Sequence, residues 1–339
     1  GGTIESSIDG GITWSTAPPT ATEANTYTIH YRAKGDYNHY DSHAGTPEDP
    51  YPSLTVIIET ADFMNPDPSL GGLVIEGIAD LTYCGKQYKQ VPTNITYNGM
   101  ELEKDKDYTV SYEEDKNYFD AGDYKVIITG VGNYKGEVDK SCTVNKKELT
   151  VSVINKEAKV GTQAPSLTNS ELDKDYAVTG FISGETLSTH PILSYETQPP
   201  AIIERAGATY QINASAASAG DNYTITYVPG TLTTIGGDNY VTVNTPTNLI
   251  YTGQPQNLVT NGVSTGGRVY YAISESGPWT TEFPQSTDAG DTVIWYKVDG
   301  GADYEDVPAA SRIVTIDKVD ISDLPDSAFG PIAAHVYDK

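Results

Sequence analysis

Acid–base or nucleophilic catalysis needs a base held beside a reacting group, and this 339-residue chain has few residues that could supply one. Its five histidines, His30, His39, His43, His190 and His335, are scattered over segments that read as loops and strands. His30 alternates with Tyr31 along a strand and His39 lies in a turn, so both read as surface residues. Carboxylate pairs such as Glu113 with Glu114 and Asp105 with Asp107 are the kind that serve glycoside hydrolysis, which needs two carboxyls facing one cleft. They fall in or beside hairpin turns and read as solvated turn residues. No GxxxxGK phosphate loop is present, and no GxGxxG opens a helix. The expectation is a chain with no catalytic residues, not an enzyme.

Metal and redox chemistry are equally thin. Cys84 and Cys142 are the only cysteines, and no CxxC or Cys/His spacing suits structural zinc. In an oxidising compartment the two could pair, and closing that loop would contribute roughly 4 kcal/mol in the chain-entropy model. Side-chain parity opposes it: Leu81 and Tyr83 read as inward, which turns Cys84 outward, whereas Cys142 shares parity with Val138 and Val144. Acidic residues gather at Asp36, Asp41, Asp299, Asp303, Glu305 and Asp306. Calcium is the cofactor that such a set would suit, but no DxDxDG loop is present, and the expectation is no cofactor. Trp14 and Trp279 occupy equivalent places in a hairpin. They could offer a sugar-stacking platform, although a position repeated in this way more often packs under a turn. Asn94, Asn213 and Asn222 open N-x-S/T triplets, and Asn222 reads as a turn residue.

Composition narrows the elements that carry these residues. Asp and Glu number 46 against 21 Lys and Arg, for a net charge of −25, which repels a nucleic-acid backbone or an anionic membrane surface. No run approaches 18 apolar residues, so no membrane-spanning segment is expected in this sequence. Tyr (25) far outnumbers Phe (5) and Trp (3), which suits thin sheets with an apolar ring inside and a hydroxyl at the edge. The abundance of Thr, Tyr, Val and Ile favours pleated strands over helices.

The clearest signal is internal repetition. Gly1, Gly2, Trp14, Pro19, Ala24, Tyr31 and Gly35 find counterparts 265 positions later in Gly266, Gly267, Trp279, Pro284, Ala289, Tyr296 and Gly300. The register holds without a gap as far as Asn38, so these are two copies of one module. A shorter signature recurs in every copy: Asp120-Ala121-Gly122-Asp123-Tyr124 with Asn133-Tyr134, Ala206-Gly207 with Asn222-Tyr223, Ala24 with Tyr27, and Asp288-Ala289-Gly290 with Asp303-Tyr304. Each reads as a turn, an alternating strand, a second turn and another strand. An acidic residue four positions before Tyr, as in Asp120 and Tyr124 or Glu23 and Tyr27, resembles the tyrosine corner of immunoglobulin-type sandwiches.

These landmarks predict an all-β chain of tandem immunoglobulin-like β-sandwich repeats in an elongated array. The division is a partial repeat at 1–58, a Pro/Gly/Asp-rich linker at 59–72, repeats at 73–147, 148–235 and 236–318, and the start of a further repeat at 319–339. Strands of about nine residues at ~3.3 Å each would give three complete repeats a length on the order of 100 Å. The first repeat lacks the opening strands that the fourth has from Tyr240 to Tyr251, so the natural protein is expected to continue in both directions. Head-to-tail self-association through the incomplete terminal repeats is a further expectation, one molecule's tail adding a strand to another's first repeat.

The third repeat resembles the MBG-type ("mostly β") repeats of large bacterial surface proteins and adhesins. The resemblance runs through Leu149-Thr150-Val151, Gly161, Pro165-Ser166-Leu167, Val178-Thr179-Gly180, Tyr210-Gln211-Ile212, Asn222 to Tyr227 and Pro229 to Thr233. The second is similar to a sister repeat through Tyr83-Cys84-Gly85, Asp107 to Tyr112 and Gly130 to Gly136. That resemblance implies an extracellular, cell-surface setting and a structural spacer without catalytic residues. The alternative it leaves open is a module that binds a carbohydrate or host surface protein through its loops or exposed aromatics.

Overall fold

The computed structural model describes residues 1–43, 45–320 and 322. Most of the expected further repeat at 319–339, with His335, lies outside the described residues. Among those described, the named regular elements are strands and a short 3₁₀ turn at Pro68–Leu70, and no helix is long and apolar enough to cross a membrane. The fold class is all-β, in tandem sandwich repeats. Two compact units emerge. One holds Gly1–Leu149, Gly180–Thr186 and Ala219–Thr224; the other holds Thr150–Thr179, Leu187–Ser218 and the chain from Ile225 on.

One sheet plan recurs in the second, third and fourth repeats. In the second, the order is Leu81–Thr82, Glu137–Asn145, Gly122–Gly130, Tyr108–Tyr112. The third repeats it with Lys156–Lys159, Gly230–Ile235, Thr209–Ser215, Ile192–Tyr195. The fourth has Leu249–Ile250, Val307–Asp317, Gly290–Asp299, Arg268–Ala272. Each time the opening edge strand runs parallel to the closing strand, and the remaining pairs are antiparallel. The first repeat keeps three of the four: Gly2–Ser7, Asn25–Gly35 and Ser53–Ile58.

Period-two alternation places the cores. Along Gly122–Gly130, Tyr124, Val126 and Ile128 are buried; Val126 and Ile128 share a core with Ile95, Tyr97, Leu102 and Tyr108, and Tyr124 packs against Tyr118. In the third repeat Val151, Tyr176, Ile212 and Leu232 close one core. In the fourth, Val243, Leu258, Val259, Ile294, Val314 and Ile316 close another.

Two sequence expectations change, and the cysteine pairing, which side-chain parity opposed, is not formed. Residues 59–72 are not a bare linker: Ala61–Asp62 pairs in parallel with Tyr134–Lys135, and Phe63, 1% exposed, sits in the second repeat's core. Its ring packs 5.6 Å from that of Tyr134 and 5.9 Å from that of Tyr97. Leu81 faces solvent although Tyr83 is buried, because Leu81 lies on the edge strand and only Tyr83 reaches the interior. Cys84 and Cys142 are not joined: both are free, Cys84 exposed and Cys142 buried. Cys142 stands opposite Tyr124 within the sheet, and burial pushes its thiol pKa up.

Candidate functional site

The corner turns come first. Tyr124 donates its hydroxyl to the carbonyl oxygens of Asp120 and Asn117, each at 2.6 Å. Tyr27 donates to the carbonyl of Glu23 at 2.8 Å. Gly122 at φ 154° and its counterpart Gly290 at φ 136° hold the turn in a region that side chains avoid. The bonds tie each corner back onto its own sheet and leave the turn's Ala N–H pointing outward.

That N–H is taken by the neighbouring repeat. Asn133 of the second repeat accepts from the Ala24 N–H of the first at 2.7 Å, and its amide donates to Glu23 Oε2 at 2.5 Å. Asn222 of the third repeat accepts from Ala121 N–H of the second at 2.7 Å and donates to Asp120 Oδ1 at 2.9 Å. Asp303 of the fourth accepts from Ala206 N–H of the third at 2.9 Å. Each contact lies within one compact unit. A carboxylate has no donor to offer an acid, and the residue before Ala206 is Arg205 where the other joints have Glu23 and Asp120.

These joint residues were missed from sequence, where Asn222 read as a turn residue. The positive-φ asparagines are Asn98, Asn169 and Asn248, not Asn133 or Asn222. The recurrence of Asn or Asp before Tyr in the turn after each corner strand, at Asn133, Asn222 and Asp303, was the available signal. The joint at Asn222 carries a second layer. Glu185 accepts from the hydroxyls of Tyr223 and, at 2.7 Å, Tyr83, whose rings meet edge-on at 5.4 Å. The Glu185 hydrogen bond, helped by burial, pushes the Tyr83 pKa up to about 12.

The paired tryptophans are each half-buried and carry a cation of their own repeat. Arg32 lies 4.3 Å above the Trp14 ring and Lys297, 265 positions after Arg32, lies 4.7 Å above that of Trp279. Tyr51 meets the Trp14 ring edge-on at 4.6 Å, and Trp14 Nε1 donates to the Gly11 carbonyl at 2.9 Å.

The remaining candidates are dispersed. Asp41 and Asp306 accept from the equivalent Gly35 and Gly300 N–H groups, Asp299 from Gly301, and Asp36 from Asn38. Glu305 lies 3.6 Å from Lys159. Among the described residues no three His, Cys, Asp or Glu side chains form a metal-holding group. His39 meets Asp36 at 2.6 Å and His43 meets Asp49 at 2.9 Å, both near the surface; His190 meets the Tyr176 hydroxyl. Glu113 accepts from the Lys125 N–H of the adjacent strand at 3.0 Å, and Asp107 from Glu103 N–H within its own turn at 2.9 Å. An open groove of about 600 Å³ in the third repeat is lined by Gln163, Ser166, Ser194, Tyr195 and Gln198, among others.

A chain of sandwich repeats tied by corner and joint hydrogen bonds is the class that this geometry defines. Residues 149–233 match the family model described as MBG domain (YGX type), so the third repeat is an MBG-type repeat. No curated protein sequence matches the chain. Among solved structures it is similar to extracellular cadherin domains 3–6 of protocadherin gamma B2, at 14% identity and a TM-score of 0.21, covering 87% of this chain and 83% of that one. Domains EC1–4 of Drosophila N-cadherin give 9% identity and 0.27 over 87% and 83%. Bacteroides ovatus SGBP-B, solved with a mixed-linkage heptasaccharide, gives 11% and 0.13 over 93% and 81%.

Proposed function

We propose that the chain is a non-enzymatic spacer in an extracellular bacterial surface protein, setting the distance at which another module is presented. The observation that supports this is the joint, in which an Asn or Asp of one repeat takes the corner N–H of the repeat before it, three times over. Such a bond ties a corner of one repeat to a turn of the next through backbone and side-chain polar groups. No metal is part of this reading. The two tryptophans serve as packing for their hairpins, with their ring faces occupied by Arg32 and Lys297.

The test is replacement inside a surface protein that carries these repeats. Exchanging them for an unrelated sandwich array with the same number of domains is expected to preserve the activity of the presented module, and deleting repeats to reduce it. Loss of activity on equal-length exchange would sink the spacer reading. A second reading, carbohydrate or host-protein binding, draws on the polar third-repeat groove. Saturable binding on a glycan array that disappears with Tyr195→Ala or Gln198→Ala would establish it in place of the first.

A further inference from the structure

The first and fourth repeats share one module, yet equivalent core positions differ in exposure. In the fourth, Ile294, Val314 and Ile316 are 0%, 3% and 1% exposed, packed with Val243, Leu258 and Val259. Strand register identifies their counterparts. Thr292 faces Val314 as Tyr27 faces Val56, and Gly290 faces Ile316 as Asn25 faces Ile58. Ile294 corresponds to Ile29, 265 positions earlier. Val56 is 39% exposed, and Ile29 and Ile58 are only half-buried. With Ile8, Pro19 and Tyr27 they line an open apolar hollow of about 300 Å³.

The backbone around the hollow is also short of partners. In the fourth repeat the Pro284 carbonyl accepts from Leu258 N–H at 2.8 Å, and Leu249–Ile250 runs parallel to Ile316 and Asp317. The counterparts, Pro19 and the outer edge of Ile58, have no such partner among the described residues.

We propose that this half-core is a strand-accepting groove whose occupant is an opening segment of the fourth repeat's type, like residues 238–265. That segment brings Val243, Leu258 and Val259 for the hollow, an N–H for the Pro19 carbonyl and a parallel edge for Ile58. Two open faces of separate copies stacked together would cover the apolar side chains but leave both backbone edges unpaired, and that decides against a second copy docked face to face.

Residue 265 directly precedes Gly266, the counterpart of Gly1, so residues 238–265 can be fused straight onto Gly1 of the full chain. Hydrogen exchange is then followed over Asn25–Gly35 and Ser53–Ile58, with Gly122–Gly130 as the folding control. Protection in the first two strands is expected to rise by roughly tenfold or more over the unfused chain. It is expected to fall back when the graft carries Val243→Asp and Leu258→Asp. Equal protection in all three proteins would overturn the proposal. So would protection in the unfused chain that grows with its concentration, which would make a second copy the occupant.

Discussion

Asn222 does two opposite things with one amide: its oxygen accepts from Ala121 and its nitrogen donates to Asp120. Asn222→Asp keeps the acceptor but sets a carboxylate against Asp120, and a loss of about 1–3 kcal/mol is expected. Adding Asp120→Arg reproduces the Arg205 and Asp303 combination of the next joint and is expected to recover most of that loss. A denaturant double-mutant cycle measures it, and a coupling energy near zero would show that the joint is indifferent to charge. At the same joint Tyr83 titrates late, near pH 12, because its hydroxyl donates to Glu185. Its folded value lies above its free one, so this contribution is full below about pH 10 and fades as pH climbs towards 12. Alkaline absorbance titration should show a late tyrosine component that Glu185→Gln moves earlier; an unmoved component would assign the shift elsewhere. The corner tyrosines were legible from sequence because Glu23 and Asp120 stand four residues before Tyr27 and Tyr124. The joint was not, because Asn133 and Asn222 meet partners about a hundred residues away, and a lone Asn in a Gly-rich turn reads first as a turn former.

Among the elements, the sheet plan followed from alternation: Tyr124, Val126 and Ile128 fall on one face in sequence and in the structure. Residues 59–72 escaped this reading because one aromatic among Pro, Asp and Gly carries no period. Phe63 nevertheless fills the second repeat's core, and Phe63→Ala is expected to destabilise that repeat by about 3–5 kcal/mol. Calorimetry or exchange at Gly122–Gly130 reports it, and a change of only a few tenths would mean that the segment behaves as a tether after all. In the third repeat, Lys156 meets Asp175 at 2.5 Å with both side chains largely covered. That bond, joined by the Glu171 N–H, holds the Asp175 pKa below the usual carboxylate range. Its folded value lies below its free one, so the contribution is present above about pH 4 and is lost as pH falls further. Asp175→Asn should flatten the acid limb of the stability curve; an unchanged limb would assign acid sensitivity to other carboxylates.

At the scale of the whole chain, a net charge of −25 works against every compact state it forms. Raising sodium chloride from low to physiological strength is expected to raise Tm by screening that repulsion. Millimolar calcium at matched ionic strength is expected to add nothing further. A calcium-specific rise would direct attention to Asp36, Asp41, Asp299 and Asp306. In the second, third and fourth repeats, the opening edge strand lies parallel to the closing strand. Tension applied at the two ends of such a repeat slides these strands along one another, so their hydrogen bonds bear the load together. An antiparallel hairpin pulled at its ends would open one bond at a time. A repeat paired in this way is expected to withstand higher pulling force than the same residues joined as a zipper.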